Sequence, residues 1–485
     1  MNKFLFRIKE IYVNLSLPKK SVIWFTFATI IQNGISFLTT PLYTRILSDS
    51  EYGIYSIFQS WQQIISILSV LALDRCITVG FMKFSEERRN FLSSIQTLMT
   101  LLIFCCSIII YIFSDFFEGL IKLPLYMIFT MLVVSLMNNS LTNWSWYQRY
   151  LYDYRKLTCV TIFSAIFMQI ISIISLLLLP LENKGNVLVM TMSGSRILIF
   201  GIIYLSVFFK GKTAYNKKYW CFGIKYSIAV VPHALAQIIL NSSDRIMIDK
   251  ICGRSETAYY SVTYSAAMVL NTIMTSVSSA VQPWFFEEIK NRNYQKIRTT
   301  TNSLLLFSAG LSVFVSLFAP EILRIMAPAS YSEALWVFPS IAASVYFNSM
   351  YLYFANFESY YEKPFYFSIA TSVGAVVNIV LNLILIPVFG FVAAGYTTLF
   401  CYILFAIMHY IFMRKVCLEF IHGEKVFDLK FIIILSIIVL ILNIGITLLY
   451  TMSVIRYILI CLFIFVLYIK RSFFANLIKS YKKNI

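Results

Sequence analysis

Charge is scarce in this sequence. Asp, Glu, Lys and Arg make up 13% of its 485 residues, about half of the ~25% that a soluble domain carries. A chain so poor in charge cannot coat a soluble surface, which excludes soluble enzymes, secreted disulfide scaffolds and disordered hubs. The nine cysteines form no CxxC pair, and Cys105, Cys106, Cys159, Cys401 and Cys461 fall inside apolar runs. A free thiol there behaves as a small hydrophobe, so neither a disulfide framework nor a metal site is expected. Also missing are DxD, HExxH, GxSxG and a Gly-rich phosphate loop, the short motifs that carry transferase, hydrolase or nucleotide chemistry. No catalytic residue and no cofactor are predicted.

What the sequence has instead is apolar length. Hydrophobic residues make up 59% and aromatics 17%, and apolar runs near 20 residues recur from end to end. Each is long enough to cross a ~30 Å hydrocarbon core and about twice what a barrel strand needs. The expected fold is an all-α polytopic membrane protein with about fourteen transmembrane helices. They fall at 22–43, 52–73, 91–113, 124–145, 157–179, 187–209, 223–243, 258–285, 301–319, 334–357, 366–387, 392–413, 429–450 and 454–470. The connections leave no room for a soluble domain. No small-residue cleavage site follows the first apolar run, so no cleaved signal peptide is predicted.

Acidic residues are the scarcer sign: 22 Asp+Glu against 40 Lys+Arg, a net +18. In a soluble protein that excess would point to nucleic acid. Here 31 basic residues fall on the side of the N-terminus and 8 on the other, with Arg196 inside a helix. The positive-inside rule then explains the excess, predicts both termini in the cytoplasm, and leaves no nucleic-acid partner.

Ser50-Glu51-Tyr52-Gly53-Ile54-Tyr55-Ser56-Ile57 lies over Ser255-Glu256-Thr257-Ala258-Tyr259-Tyr260-Ser261-Val262 at an offset of 205 residues, and the same offset places Gln32 over Gln237. Both segments open a helix after an outward loop, the second in one case and the eighth in the other. Two six-helix lobes in parallel repeat, plus two C-terminal helices, are therefore expected. The predicted parts are a basic leader (1–21), an N-lobe (22–209), an inter-lobe loop (210–222), a C-lobe (223–413), the added pair (429–470) and a basic tail (471–485). Transporters built from repeats hold substrate near the midplane at the repeat interface.

At Pro41-Leu42-Tyr43-Thr44-Arg45-Ile46-Leu47, Glu51-Tyr52-Gly53-Ile54-Tyr55, Asp244-Arg245-Ile246-Met247-Ile248 and Ala258-Tyr259-Tyr260-Ser261-Val262-Thr263-Tyr264, the chain resembles the polysaccharide and O-antigen repeat-unit flippases (Wzx type). Their superfamily, the multidrug/oligosaccharidyl-lipid/polysaccharide exporters, also holds the MATE antiporters and the lipid II flippases. The resemblance implies a V-shaped pair of lobes around a central cationic cavity. It implies that an undecaprenyl-pyrophosphate-linked oligosaccharide passes from the cytoplasmic to the outer leaflet by alternating access. A bacterial cytoplasmic (inner) membrane, membrane lipid and other polysaccharide-assembly membrane proteins follow as setting and partners. Many members are drawn with twelve helices, so the last two are a departure.

An ionisable residue at bilayer depth is costly and marks function by default. Arg196 is expected about nine residues into the sixth helix, or about 14 Å deep. It is either a cavity cation for a pyrophosphate or acidic sugar, or a buried structural group that is ion-paired or hydrogen-bonded to carbonyls. His233, Gln237 and Asn241 follow at i+4 spacing with Arg245 next, on one helical face after Pro232, which is expected to kink the helix. They offer hydrogen bonds to sugar hydroxyls, or glue between helices. Gln32 and Asn33 give the first helix a weaker matching face. Arg45, Asp74, Arg75, Arg149, Asp244 and Arg245 are candidate gate or path charges, against the plain alternative of interfacial charges that snorkel. The first helix holds no carboxylate, and the seventh holds none before Asp244 near its outer end. That weighs against a cation-coupled multidrug or metabolite antiporter, the rival on the same fold. The lack of a deep basic residue in the first helix weighs against a lipid II flippase. A membrane glycosyltransferase or polymerase is the weakest reading, for want of a long outward loop.

Overall fold

The structure, a computed structural model, describes residues 16–179, 182–363 and 365–469. Most of the basic leader and all of the tail 471–485 lie outside them. Among the described residues there is no strand. Fourteen long helices run α1 Leu17–Ile46, α2 Asp49–Val70, α3 Arg88–Ile112, α4 Leu125–Tyr150, α5 Tyr154–Leu178, α6 Lys184–Gly211 and α7 Lys217–Ile251, then α8 Arg254–Lys290, α9 Tyr294–Leu317, α10 Phe338–Tyr360, α11 Phe365–Phe389, α12 Val392–Phe420, α13 Leu429–Thr447 and α14 Ser453–Ile469. Each overlaps one predicted range. Among the described residues nine are long and apolar enough to cross a membrane, and a bent pair makes a tenth. The polytopic all-α fold is thus observed, and the protein is a multi-pass membrane protein. α1, α8 and α10 fall short of the apolar test because Ser, Thr, Asn, Gln and Lys dilute their windows. α10 is instead sheathed by protein, buried from Phe338 to Met350 without a break.

The second predicted span, 52–73, does not stop where the sequence reading ended it. α2 closes at Val70, and Leu71 and Ala72 take left-handed φ values of 52° and 51°. A 3-10 turn Leu73–Arg75 follows, then a short helix Cys76–Lys83, inclined 70° to α2. Left-handed backbone costs an L-residue about 1–2 kcal/mol, and freed backbone at membrane depth persists only inside protein or along a wet cavity. Both conditions are met: Ala72 and Leu73 are fully buried, the Ser227 hydroxyl reaches the Ala72 carbonyl at 3.4 Å, and Asp74 and Arg75 line a cavity.

Contacts divide the chain into two compact units, Met1–Ser242 and Ser243–Ile485. The division falls inside α7, whose aromatic first half packs in the first unit's core. There Tyr219 meets Phe84 at 4.8 Å and Phe91 at 5.4 Å between ring centres. Within unit 1, α4 and α5 pack on α6, and α2 on α4; within unit 2, α10 and α11 pack on α12, and α8 on α10. These three pairings correspond. The 205-residue offset also recurs in the helix ends: α2 begins at Asp49 and α8 at Arg254, and the short helices Ser114–Ile121 and Ala319–Met326 match at both ends. The two added helices are fastened by buried polar groups. Asn443 of α13 accepts from Ser316 at 2.6 Å and donates to Ser312 at 3.2 Å, while Arg456 of α14 grips Glu321 with both arms, Nη2 to Oε1 at 2.7 Å.

The Ser-Glu motif caps its helix in the first half alone: α8 starts after Gly253 with no side-chain cap. Ser48 and Glu51 form a reciprocal capping box on α2, which satisfies two otherwise orphaned N–H groups. Glu51 Oε1 also accepts the Lys184 N–H of α6 at 2.8 Å. The two helix starts lie so close that a Cβ on Gly185 would sit 2.6 Å from the Glu51 carbonyl oxygen, so glycine is required there. At a different loop, Asp153 caps α5 and pairs with Lys156 at 2.7 Å, a hydrogen bond that holds its carboxyl below the usual range. Glu51→Ala removes caps from two helices at once. It is expected to cost about 1–3 kcal/mol, read as a lowered melting temperature of the detergent-solubilised protein, with Glu51→Gln losing less.

Candidate functional site

α2 carries Gln59, Gln62, Gln63 and Ser66 at i, i+3, i+4 and i+7, which places them on one helical face. In unit 1 that face forms the wall of a cavity of about 270 Å³, completed by Asn138, Asn139 and Thr142 of α4, Asp74 and Arg75 at the break, and Arg196 of α6. Arg196 lies 12 residues after Lys184 in a 28-residue helix, near the middle of the span. It is half-buried, and its side chain makes no hydrogen bond or ion pair with any described residue. The wall around it is built from carboxamides held in place from behind. Gln62 donates to Ser135 at 3.1 Å and Asn139 to Ser66 at 3.2 Å, while Gln62 Oε1 is buried without a hydrogen-bond partner. Asp74 and Arg75 pair with each other at 3.5 Å, the arginine side chain being 54% exposed. Two guanidiniums against one carboxylate leave the cavity net cationic.

A second cavity of unit 1, about 310 Å³, shares Thr142 with the first and is lined by Thr29 and Gln32 of α1, Ser145 and Arg149 of α4, and Thr161 and Ser164 of α5. Asn138, Thr142, Ser145 and Arg149 again keep helical spacing, so one face of α4 forms a polar track about 16 Å long. Its far end is marked by the Arg149 guanidinium, which lies over the rings of Phe25 at 5.0 Å and Trp146 at 5.3 Å.

Sequence reasoning singled out Arg196, Asp74, Arg75, Gln32 and Arg149, and the structure seats the first three in one cavity and the last two in its neighbour. The α7 face is placed differently. The residue of α7 that lines the Arg196 cavity is the apolar Ile238; Gln237 is exposed, His233 is half-buried, and Asn241 donates to the Gln237 carbonyl of its own helix at 2.8 Å. Asn33 and Arg45 are exposed, the latter donating to the Pro41 carbonyl at 2.9 Å. Reasoning from charge and from the first and seventh helices missed the α2 and α4 amides. Their signal was present as periodicity at 59-62-63-66 and 138-142-145-149.

Unit 2 places the remaining candidate charges. Asp244, a candidate gate or path charge, is 1% exposed and accepts hydrogen bonds from Tyr260 at 2.7 Å, Asn382 at 2.6 Å and Thr398 at 2.8 Å. Arg245 turns instead onto the Tyr264 ring at 4.7 Å. Glu358 is fully buried and bonds both carboxylate oxygens to His409 Nδ1 at 3.0 Å. Two carboxylates are therefore buried in protein near the ends of their helices, where a coupling cation has an anion to meet.

The model of the polysaccharide biosynthesis protein family matches residues 19–289. The chain belongs to that family. The MatE model matches residues 231–384, so two family models of one transporter superfamily meet on this chain. An uncharacterized membrane protein of Methanocaldococcus jannaschii is 23% identical over 439 residues, covering 82% of this chain and 84% of its own. Among solved structures, the lipid II flippase MurJ in an inward closed conformation is similar at a TM-score of 0.68 and 16% identity, over 94% of this chain and 99% of that one. An inward-facing multidrug resistance MATE family transporter is similar at a TM-score of 0.61 and 10% identity, over 81% and 96%. Family and fold are those of flippases and transporters.

If the family's cavity is wet, Gln63→Cys and Thr142→Cys, in a background freed of native cysteines, react with a charged, membrane-impermeant thiol reagent in the bilayer. Leu198→Cys, on the 61% exposed outer face of the same helix as Arg196, stays protected. Equal labelling of all three sites contradicts a confined aqueous cavity.

Proposed function

We propose that the protein translocates an undecaprenyl-pyrophosphate-linked oligosaccharide repeat unit from the cytoplasmic to the outer leaflet of a bacterial cytoplasmic membrane. In this reading both termini are cytoplasmic, and the lobes 22–209 and 223–413 alternate the access of the polar path. The observation that carries it is Arg196, a partnerless guanidinium at mid-span facing a wall of carboxamides. A cation held without an internal counter-charge is poised for an anionic cargo, and carboxamides both donate to and accept from sugar hydroxyls. Arg149, Trp146 and Gln32 repeat that chemistry one cavity away.

The energetic task is to spare a hydrophilic headgroup the loss of its water on crossing hydrocarbon. A polar track removes most of that cost while the prenyl tail stays in lipid. No bond is made or broken, so the reading asks for no catalytic group. Membrane lipid and other polysaccharide-assembly membrane proteins are the partners that follow from it.

A second reading, a cation-coupled multidrug or metabolite antiporter on the same fold, is favoured by the buried carboxylates Asp244 and Glu358. The two readings part at the cargo's charge. In cells, loss of the protein should strand the prenyl-pyrophosphate oligosaccharide on the cytoplasmic leaflet, and re-expression should restore its outward exposure. Unchanged sidedness together with raised susceptibility to cationic drugs replaces the first reading with the second. Arg196→Ala is expected to lower outward flux at least tenfold with expression and insertion intact, and Arg196→Lys to keep part of it. Wild-type flux in Arg196→Ala removes this residue from the path.

A further inference from the structure

In unit 2, where α9 and α13 begin and α12 ends, a cavity of about 690 Å³ gathers Arg298, Arg414, Lys425 and Lys430. The charge asymmetry between the two sides of the membrane would be met by these residues scattered over the surface; here four of them converge on one opening. The lone lining acid, Asp428, is engaged, its carboxylate accepting the Phe431 N–H at 3.1 Å as the cap of α13. The two arginines brace the loop between α12 and α13: Arg298 donates to the Lys425 carbonyl, and Arg414 Nη1 to the carbonyls of Gly423 at 3.2 Å and Glu424 at 3.0 Å. That leaves Arg298 Nε buried with no hydrogen-bond partner, and neither Lys425 nor Lys430 in any ion pair among the described residues.

A buried N–H of a charged group without a partner is destabilising, and an anion in the opening would satisfy it. The first turn of α13 opens onto the same place, its N-terminal partial charge already met by Asp428. Part of the wall is apolar: Ile433 and Ile434, each 49% exposed, follow Lys430 by one turn on the same face of α13. A soluble phosphate would have no use for that wall, whereas a lipid needs both parts at this spacing. Basic pockets between transmembrane helices are where anionic headgroups bind.

We propose that this cleft binds the phosphate headgroup of an anionic membrane lipid, with an acyl chain lying along Ile433 and Ile434. The site is separate from the Arg196 cavity, and the proposal does not depend on what that cavity carries. The test uses the full-length protein purified in mild detergent, with lipid retention measured by native mass spectrometry and melting temperature by intrinsic fluorescence. Phosphatidylglycerol is expected to be retained and to raise the melting temperature, whereas phosphatidylcholine and inorganic phosphate at matched concentration do neither. Arg298→Gln should weaken retention at least tenfold. Because that variant also loosens the loop, Lys430→Glu, which changes an exposed residue outside any ion pair, is made alongside it and should weaken retention to a similar degree. Equal retention of phosphatidylcholine overturns the proposal, as does displacement of phosphatidylglycerol by an equal concentration of inorganic phosphate, which would make this a soluble-anion site. Wild-type retention in Lys430→Glu overturns it too.

Discussion

A guanidinium at mid-span has to be solvated by something. The rest of unit 1 can be read as the arrangement that does this for Arg196 without neutralising it. A carboxylate beside it would cancel the charge; a close-packed apolar wall would make it prohibitively costly. The chain uses neither. It turns the amide stripe of α2 and the Asn138–Asn139 pair of α4 toward the arginine and keeps Asp74 occupied with Arg75. It also breaks the second span at Leu71 and Ala72, which brings Asp74 and Arg75 to the wall of the same cavity. The left-handed pair is accommodated by burial in protein, and the charges that follow it line the same cavity as the arginine.

The two units share helix order and several internal pairings but handle polarity differently. Unit 1 turns a stripe of amides and Arg196 into its cavities. Unit 2 buries two carboxylates among hydrogen-bond donors: Asp244 with three neutral donors, Glu358 with the His409 ring, which is stacked on Tyr351. Buried hydrogen bonds between membrane helices contribute about 0.6 kcal/mol each on average, so such bonds hold helices together without making them rigid. Divergence of chemistry on a repeated scaffold is what a transporter needs if one half meets cargo and the other has a different duty.

The fourteen helices were legible because apolar length is an overwhelming signal, and the repeat because Ser-Glu-x-x-x-Tyr marks a helix start that Glu51 does cap. Arg196 was legible because a lone charge in a hydrophobic run stands out. Three things were not. The break after Val70 was hidden because Cys76-Ile77-Thr78-Val79-Gly80-Phe81 is as apolar as the helix before it, and no glycine or proline flags the left-handed pair. The α7 stripe was visible as spacing, but spacing fixes a face and not the neighbour that face meets, and Ile238 rather than Gln237 reaches the cavity. The burial of Asp244 depended on Tyr260, Asn382 and Thr398, up to 154 residues away in the chain, which no local pattern reports.

The composition of the track also bears on how cargo could leave. A path that held a pyrophosphate with several fixed cations would bind it tightly and release it slowly, since a site that conducts must bind well enough to admit and weakly enough to let go. The two cavities divide the charge instead. Arg196 and Arg149 stand at opposite ends of a track whose middle, Asn138 to Ser145, is neutral and hydrogen-bonding. An anionic headgroup moving along α4 would exchange one guanidinium for another, with amides and hydroxyls between. The attraction at either end would then be offset by that at the other, rather than deepening into a trap.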